Sequence, residues 1–315
     1  MRDNKFLFSM DIFEKLIIST GWNSLDDWIE FWEEKLLLFN FKKNFDNKFN
    51  EDWLWGLVLP LLSDLSKLKE INSQKKICGI SALPGTGKTT LGKLLETLSK
   101  VLNLNVSVVS IDDFYLPSIE MEKAIKNNPW RVSRGFPGSH SIKLLIDSLT
   151  NWKMTGELNV PVFDKSLRNG LGDRSHWKRE NPDIVVLEGW FLGIEPMDLL
   201  NSNDFNLRPE LSSSESSYRK IIQRNILDYK DVWNLIDRTW QIKPEKFIYM
   251  QDWKIQQENE MFKDKGSALR NKELTSFLRM LYTSIPHDSF NKIKSDVLLT
   301  INQNRKLISI DLNNY

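Results

Sequence analysis

Cysteine is almost missing from this sequence: among 315 residues there is one, Cys78. A single thiol excludes an internal disulfide and any site built from several thiolates. Cys78 lies in an apolar run, where a small buried thiol is the expected role. Histidine is nearly as scarce, and His140, His176 and His287 are too scattered along the chain to suggest a zinc site. Charge of either sign is not in excess, since 43 basic residues face 42 acidic ones and leave +1. That balance argues against a nucleic-acid binder, which needs a positive surplus to displace counterions. Long hydrophobic runs are lacking too. The stretch from Trp53 to Leu62 is interrupted by Gly56 and Pro60 and falls well short of the about 20 apolar residues that span a bilayer. Asp3, Asp11 and Glu14 near the start do not fit a secretory or transit peptide. A soluble, cytoplasmic protein without membrane or nucleic-acid partners is the expectation.

What is present has two textures. Residues 1–75 are rich in tryptophan and phenylalanine and read as a helical region. Ser24 to Asp27 has capping-box spacing, and Leu25, Trp28, Ile29, Trp32, Leu36 and Phe39 recur at helical period. Core packing accounts for that aromatic stripe better than ligand stacking does. Residues 76–315 read as a second region, an α/β domain. Short β-type runs appear at Ile77–Ala82, Val106–Ile111, Val160–Phe163, Ile184–Leu187 and Phe247–Met250, with helical segments such as Leu91–Leu102 between several of them. This alternation predicts a mostly parallel sheet flanked by helices, with ligands at the carboxyl ends of its strands. Residues 201–217 are polar and aperiodic and read as a loop, Tyr218 to Ile236 reads as an amphipathic helix, and the tail from Val297 reads as two strands around a turn at Gln303–Asn304.

One stretch, "ALPGTGKTTL", carries specific chemistry. From Ala82 to Thr89 it has the Walker A spacing, with alanine in place of the first glycine. Gly85 and Gly87 allow positive φ and let backbone N–H groups converge on an anion. The helix that follows contributes its free N–H groups and its dipole. Pro84, Gly85, Thr86, Gly87, Lys88, Thr89 and Thr90 are therefore the expected contacts of a nucleoside triphosphate. Lys88 would serve its terminal phosphates and the Thr89 hydroxyl a Mg²⁺ ion. The alternative, a Gly-Pro turn that only joins strand to helix, does not explain the lysine and threonine.

Two other strand ends carry carboxylates. "VVSIDDFYLP" ends in Asp112 and Asp113, and "DIVVLEGW" ends in Glu188. Transfer of a phosphoryl group to an alcohol needs a carboxylate that orients the hydroxyl and accepts its proton, and another that holds the metal, roles open to the Asp112–Asp113 pair. Asp113 and Glu188 are the candidate metal ligands with Thr89; the competing readings are a turn or helix N-cap for the aspartates and a surface position at a loop entry for Glu188. Two glycine-containing stretches, "WRVSRGFPGSHS" and "VPVFDKSLRNGLGDR", read as loops. They supply Arg134, His140, Asp164, Arg168 and Arg174 as candidate acceptor contacts, because guanidinium groups grip carboxylates and phosphates. Solvated surface charge is the competing account of the arginines.

Taken together, "LPGTGKTTL", "SIDDFY", "RGFPGSH", "VPVFDKSLRNGLGDR", "LEGWFLG" and "WKIQQENEM" resemble the plant and cyanobacterial type of D-glycerate 3-kinase. That family is grouped with phosphoribulokinase, uridine kinase and pantothenate kinase among the P-loop kinases. The resemblance runs from about Trp53 to the region of Pro286. It implies ATP- and Mg²⁺-dependent phosphorylation of D-glycerate to 3-phosphoglycerate, a photorespiratory step. It also implies Asp112 as base, Glu188 as the strand-end glutamate, and a lid around residues 251–270 that includes Lys254 to Glu258. Ser141 and Lys254 depart from the family pattern. The residues alone leave open another hydroxylated acceptor (pantothenate, a nucleoside or a sugar phosphate) or a nucleotide-dependent assembly protein. They leave the oligomeric state open as well.

Overall fold

The computed structural model describes residues 6–39, 51–71, 74–202, 207–266 and 268–313. Parts of the predicted N-terminal region, of the 201–217 loop and of the lid region (residue 267) lie outside the described residues.

Six strands form the central sheet: β1 (Lys76–Ala82), β2 (Val106–Ser110), β5 (Ile184–Gly189), β6 (Arg238–Pro244), β7 (Val297–Ile301) and β8 (Leu307–Leu312). Their spatial order is β2-β5-β1-β6-β7-β8. All neighbours are parallel except β8, which returns antiparallel to β7 as the tail sequence predicts. Strands covered on both faces read as unbroken apolar runs, and β1 and β5 do: Ile77, Cys78, Ile80 and Ile184 through Leu187 are all buried.

The pleat sends alternate residues to two cores. Cys78, Ile80, Val186 and Ile242 face the helices α1 (Met10–Ser19), α2 (Leu25–Leu38), α3 (Leu59–Glu70) and α4 (Lys88–Leu98). Ile77, Val109, Val185 and Leu187 face α6 (Ile142–Thr155), α7 (Ser213–Leu227) and α10 (Asn271–Thr283). The tryptophan stripe of α2 is packed, not displayed. Trp28 and Trp32 are fully buried, and both indoles donate to Ser63 Oγ, at 2.9 and 3.1 Å. Ser24 caps α2 by accepting from the Asp27 N–H at 3.1 Å.

Three expectations from the sequence are corrected here. Phe247–Met250 is not a strand: Tyr249 opens the helix α9 (Tyr249–Lys265), and the strand is β6 just before it. Strand β6 reads as polar because it holds Arg238, Gln241 and Lys243. Burial is tolerated because Arg238 Nε donates to Asp64 Oδ2 at 2.8 Å and Gln241 Nε2 to Phe290 O at 2.7 Å. Val160–Phe163 belongs to β3 (Leu158–Asp164), which pairs with β4 (Asp173–Glu180) in a separate antiparallel hairpin, so both ends of "VPVFDKSLRNGLGDR" are strand and its middle is the connecting turn. The loop at 201–217 is shorter than expected, since Ser212 and Glu215 form a capping box and α7 starts at Ser213.

Candidate active site

Strand β1 delivers the phosphate loop and α4 begins at Lys88. Gly85 and Gly87 have φ of +77° and +112°, a region that costs residues with a Cβ. A Cβ on Gly85 would lie 2.6 Å from the carbonyl carbon of Trp253 in α9, so the loop is packed against that helix with no spare room. The face of Gly87 meets Trp53, whose Cη2 would lie 3.3 Å from an added Cβ. Arg305, in the turn between β7 and β8, donates to Gly85 O at 3.0 Å. Trp53 Nε1 donates to Arg305 O at 2.6 Å and Trp253 Nε1 to Gln303 O at 2.7 Å, which ties both indoles to the same turn. Thr86 is buried and its hydroxyl donates to Leu83 O at 2.6 Å, so this side chain closes the loop rather than facing a ligand. Thr89 and Thr90 are exposed. Lys88 Nζ donates to Ala82 O and Leu83 O at 2.7 and 3.2 Å. Burial lowers its pKa, opposed by the charges of Glu188 and Asp112.

The acids stand in sequence away from the loop. Glu188 on β5 is flanked by Ile80 of β1 and Ser110 of β2. Strand β2 is therefore not adjacent to β1. Two strand spacings, about 10 Å, separate the end that bears Asp112 from the end that bears the loop. Burial raises the pKa of Glu188, with Lys88 opposing. Asp112 and Asp113 lie in a short turn, Ile111–Phe114, capped by Ser110. Asp113 Oδ1 accepts the Phe163 N–H at 3.3 Å, and burial pushes its carboxyl up to about 6.

Asp112 has the most elaborate surroundings. Its Oδ1 accepts from Tyr115 Oη at 2.8 Å and its Oδ2 from Lys165 Nζ at 2.9 Å. His140 Nε2 stands 3.8 Å from Oδ1, too far for a hydrogen bond, and among the described residues this buried nitrogen has no other hydrogen-bond partner. The ring is held by Tyr229 Oη, 2.7 Å from Nδ1, and stacks on Tyr115 with centroids 4.5 Å apart. Burial pushes the Asp112 carboxyl up, but the opposing pull of Lys165 and the His140 ring wins and holds it well below the carboxylate range. The charge of Lys165 is the largest single pull, and burial lowers the pKa of His140, which favours a neutral ring.

The three arginines expected at the acceptor bond instead to protein. Arg134 Nη1 donates to Gly170 O and Leu171 O at 2.9 and 2.7 Å, and so fastens the turn of the β3–β4 hairpin. Arg174 donates to Tyr115 O at 3.0 Å and Ser141 Oγ at 2.7 Å. Arg168 pairs with Glu122 at 3.0 Å on α5 (Ser118–Ala124). Asp164 caps the hairpin turn by accepting from the Ser166 N–H and hydroxyl. A protruding hairpin leaves carbonyls that need donors, and guanidinium groups supply them. Of the predicted residues, the structure gathers Lys88, Glu188, Asp112, Asp113 and His140. It adds Lys165 and Tyr115, which sequence reasoning did not single out as site residues; Tyr115, three positions after Asp112, was the available clue. A cavity of about 160 Å³ lies at the ends of β1 and β6, lined by Leu83, Trp190, Phe247 and His287 among others, and none of the site acids lines it.

A divalent cation fits this donor set. Among the described residues no three histidine, cysteine or acidic side chains gather into a metal cluster. Mg²⁺ needs none, because it is usually held by one or two carboxylates together with substrate phosphates. Asp113 and Glu188, two hard oxygen donors whose ionised forms burial disfavours, are groups that a nearby cation would relieve.

No protein-family model matches the chain. It is 30% identical over 236 residues to the uncharacterized kinase mug58 of Schizosaccharomyces pombe, a match over 70% of this chain and 84% of that protein. It is 32% identical over 217 residues to the chloroplastic D-glycerate 3-kinase of Arabidopsis thaliana, covering 64% of this chain and under half, 45%, of the plant protein. The structure of D-glycerate 3-kinase from Cryptococcus neoformans superposes with a TM-score of 0.68 at 26% identity, over 82% of this chain and 97% of that one. With the phosphate loop and strand-end acids in this arrangement, the chain belongs to the P-loop kinase family that includes these proteins, and it is a small-molecule kinase.

Proposed function

We propose that the chain transfers the γ-phosphoryl group of ATP to the 3-hydroxyl of D-glycerate. The observation that carries this reading is the placement of Asp112, two strands from the phosphate loop, with a cation on its second oxygen. A gap of about 10 Å accommodates a phosphoryl group and a three-carbon acceptor. Asp112 holds the acceptor hydroxyl. As the new O–P bond forms and the bond to the ADP oxygen breaks, the hydroxyl proton passes to that carboxylate. The backbone N–H groups of the loop and Lys88 hold the phosphates, which replace Ala82 O and Leu83 O as partners of its ammonium. Thr89, Asp113 and Glu188 are the residues that would hold Mg²⁺, which when bound neutralises charge on the phosphate oxygens. The α9 helix, seated on Gly85 through Trp253, is the proposed lid, with Lys254 paired to the buried Glu258.

D-Glycerate is favoured as acceptor by the relatives of that name and by the anionic group it would set against Lys165. The test is a coupled assay for ADP release with D-glycerate, followed by identification of the esterified hydroxyl. Stoichiometric 3-phosphoglycerate supports the reading. Absence of turnover with D-glycerate, alongside turnover with another alcohol, refutes it.

A further inference from the structure

We propose that Lys165 selects the acceptor, by binding its anionic group while Asp112 holds the hydroxyl that reacts. The site thereby favours hydroxy acids short enough to touch both. This rests on the reading of Asp112 as the residue that receives the acceptor hydroxyl.

The geometry narrows the choice of cation. Arg134, Arg168 and Arg174 are fastened to carbonyls, to Ser141 and to Glu122. Lys254 is paired with Glu258, and Lys88 serves the phosphate loop. Lys165 is the cation bonded to Asp112, at 2.9 Å, and its side chain is 53% exposed. An ammonium carries three donors, and the bond to Asp112 uses one. The acceptor's carboxylate can therefore join the pair without displacing it.

The 2.9 Å spacing acts as a ruler. An acceptor that bridges the two groups places its hydroxyl about 2.7 Å from Asp112 and a carboxylate oxygen about 2.8 Å from Lys165. Its two oxygens are then at most several ångströms apart. In a three-carbon hydroxy acid, with bonds of about 1.5 Å, the terminal hydroxyl and carboxylate oxygens are roughly 3–5 Å apart. An acceptor with its charge at the far end of a long chain would have to fold back on itself. A neutral triol of the same size would leave the ammonium without its second partner.

The experiment compares D-glycerate with glycerol, which keeps the hydroxyls and lacks the charge, and with pantothenate, which separates hydroxyl and charge. It uses the full chain and its Lys165→Met and Lys165→Arg variants. The readout is the ratio of kcat/KM for D-glycerate to that for glycerol. In Lys165→Met this ratio is expected to fall about 10- to 100-fold, the range of one charge-assisted hydrogen bond, chiefly through KM for D-glycerate. Lys165→Arg should restore part of it. An equal loss toward both acceptors would overturn the proposal, because Lys165 would then act only through Asp112. A wild-type enzyme that prefers pantothenate overturns both the ruler and the D-glycerate reading. A wild-type enzyme that uses D-glycerate, with a ratio unchanged in Lys165→Met, overturns the ruler alone.

Discussion

Replacing Asp113 by asparagine should make the protein more stable and the kinase worse. The substitution preserves shape, and the amide oxygen can still accept the Phe163 N–H that Asp113 accepts at 3.3 Å. What it removes is a carboxyl that burial, aided by the neighbouring charge of Asp112, raises from 3.8 to about 6 against the opposing Phe163 bond. The folded state holds that proton more tightly than the unfolded chain does. The contribution of Asp113 to stability therefore falls as pH rises from about 4 to about 6, and stays low above that. At pH 7.5 the penalty is about 3 kcal/mol at most, at 1.36 kcal/mol per pKa unit. Near pH 4 it nearly vanishes, since the group is largely protonated when folded and half protonated when unfolded. Asparagine escapes the penalty. Its advantage in thermal unfolding should be a few degrees at pH 7.5 and shrink toward zero at pH 4. Calorimetry of both proteins at pH 4, 6 and 7.5, without nucleotide, measures this directly. An advantage of equal size at all three values, or a wild type more stable at pH 7.5, would refute the reasoning. Loss of kinase activity in the stabilised variant would mark Asp113 as an acid held at a cost to the fold for its use in the reaction.

Other substitutions probe the rest of the machinery. Asp112→Asn should lower kcat by roughly 10²–10⁴ while ATP binding, followed by equilibrium titration, is retained; full activity would reject the base assignment. Gly85→Ala puts a methyl group 2.6 Å from the backbone of Trp253, in a conformation that costs alanine about 1–2 kcal/mol. Because no rotamer change relieves contact with a backbone atom, KM for ATP should rise at least about tenfold, and an unchanged KM would show that the loop and α9 do not bear on each other when nucleotide binds.

How much of this was legible in the sequence depends on how far apart the partners lie along the chain. The loop from Ala82 to Thr89 could be read because each requirement is local: a buried strand, glycines at positive φ, a helix that starts at the lysine. Glu188 could be read because an apolar run ends in it. Strand β6 could not, since Arg238 looks like a surface residue until Asp64, 174 positions earlier, is placed against it. Arg134 and Arg174 show the same limit from the other side. A guanidinium in a loop declares what it can bind, and only the fold shows that carbonyls such as Gly170 O and Tyr115 O reach it first. Lys165 sits among those arginines in the sequence, and only its 2.9 Å approach to Asp112, across 53 positions, sets it apart.

The same reasoning extends to the tryptophan-rich N-terminus, whose stripe predicts packing and nothing more. Trp28 and Trp32 do only that. Trp53 differs, because its ring covers Gly87 and its indole holds Arg305, which in turn holds Gly85 across 220 positions. The two glycines give the phosphate loop freedom that a converging cradle of N–H groups must then lose. Trp53 from the N-terminal helices, Trp253 from α9 and Arg305 from the last hairpin remove it, each from a different part of the chain. A loop whose sequence is common to many nucleotide-binding proteins is thus held in shape here by contacts that its own motif does not encode.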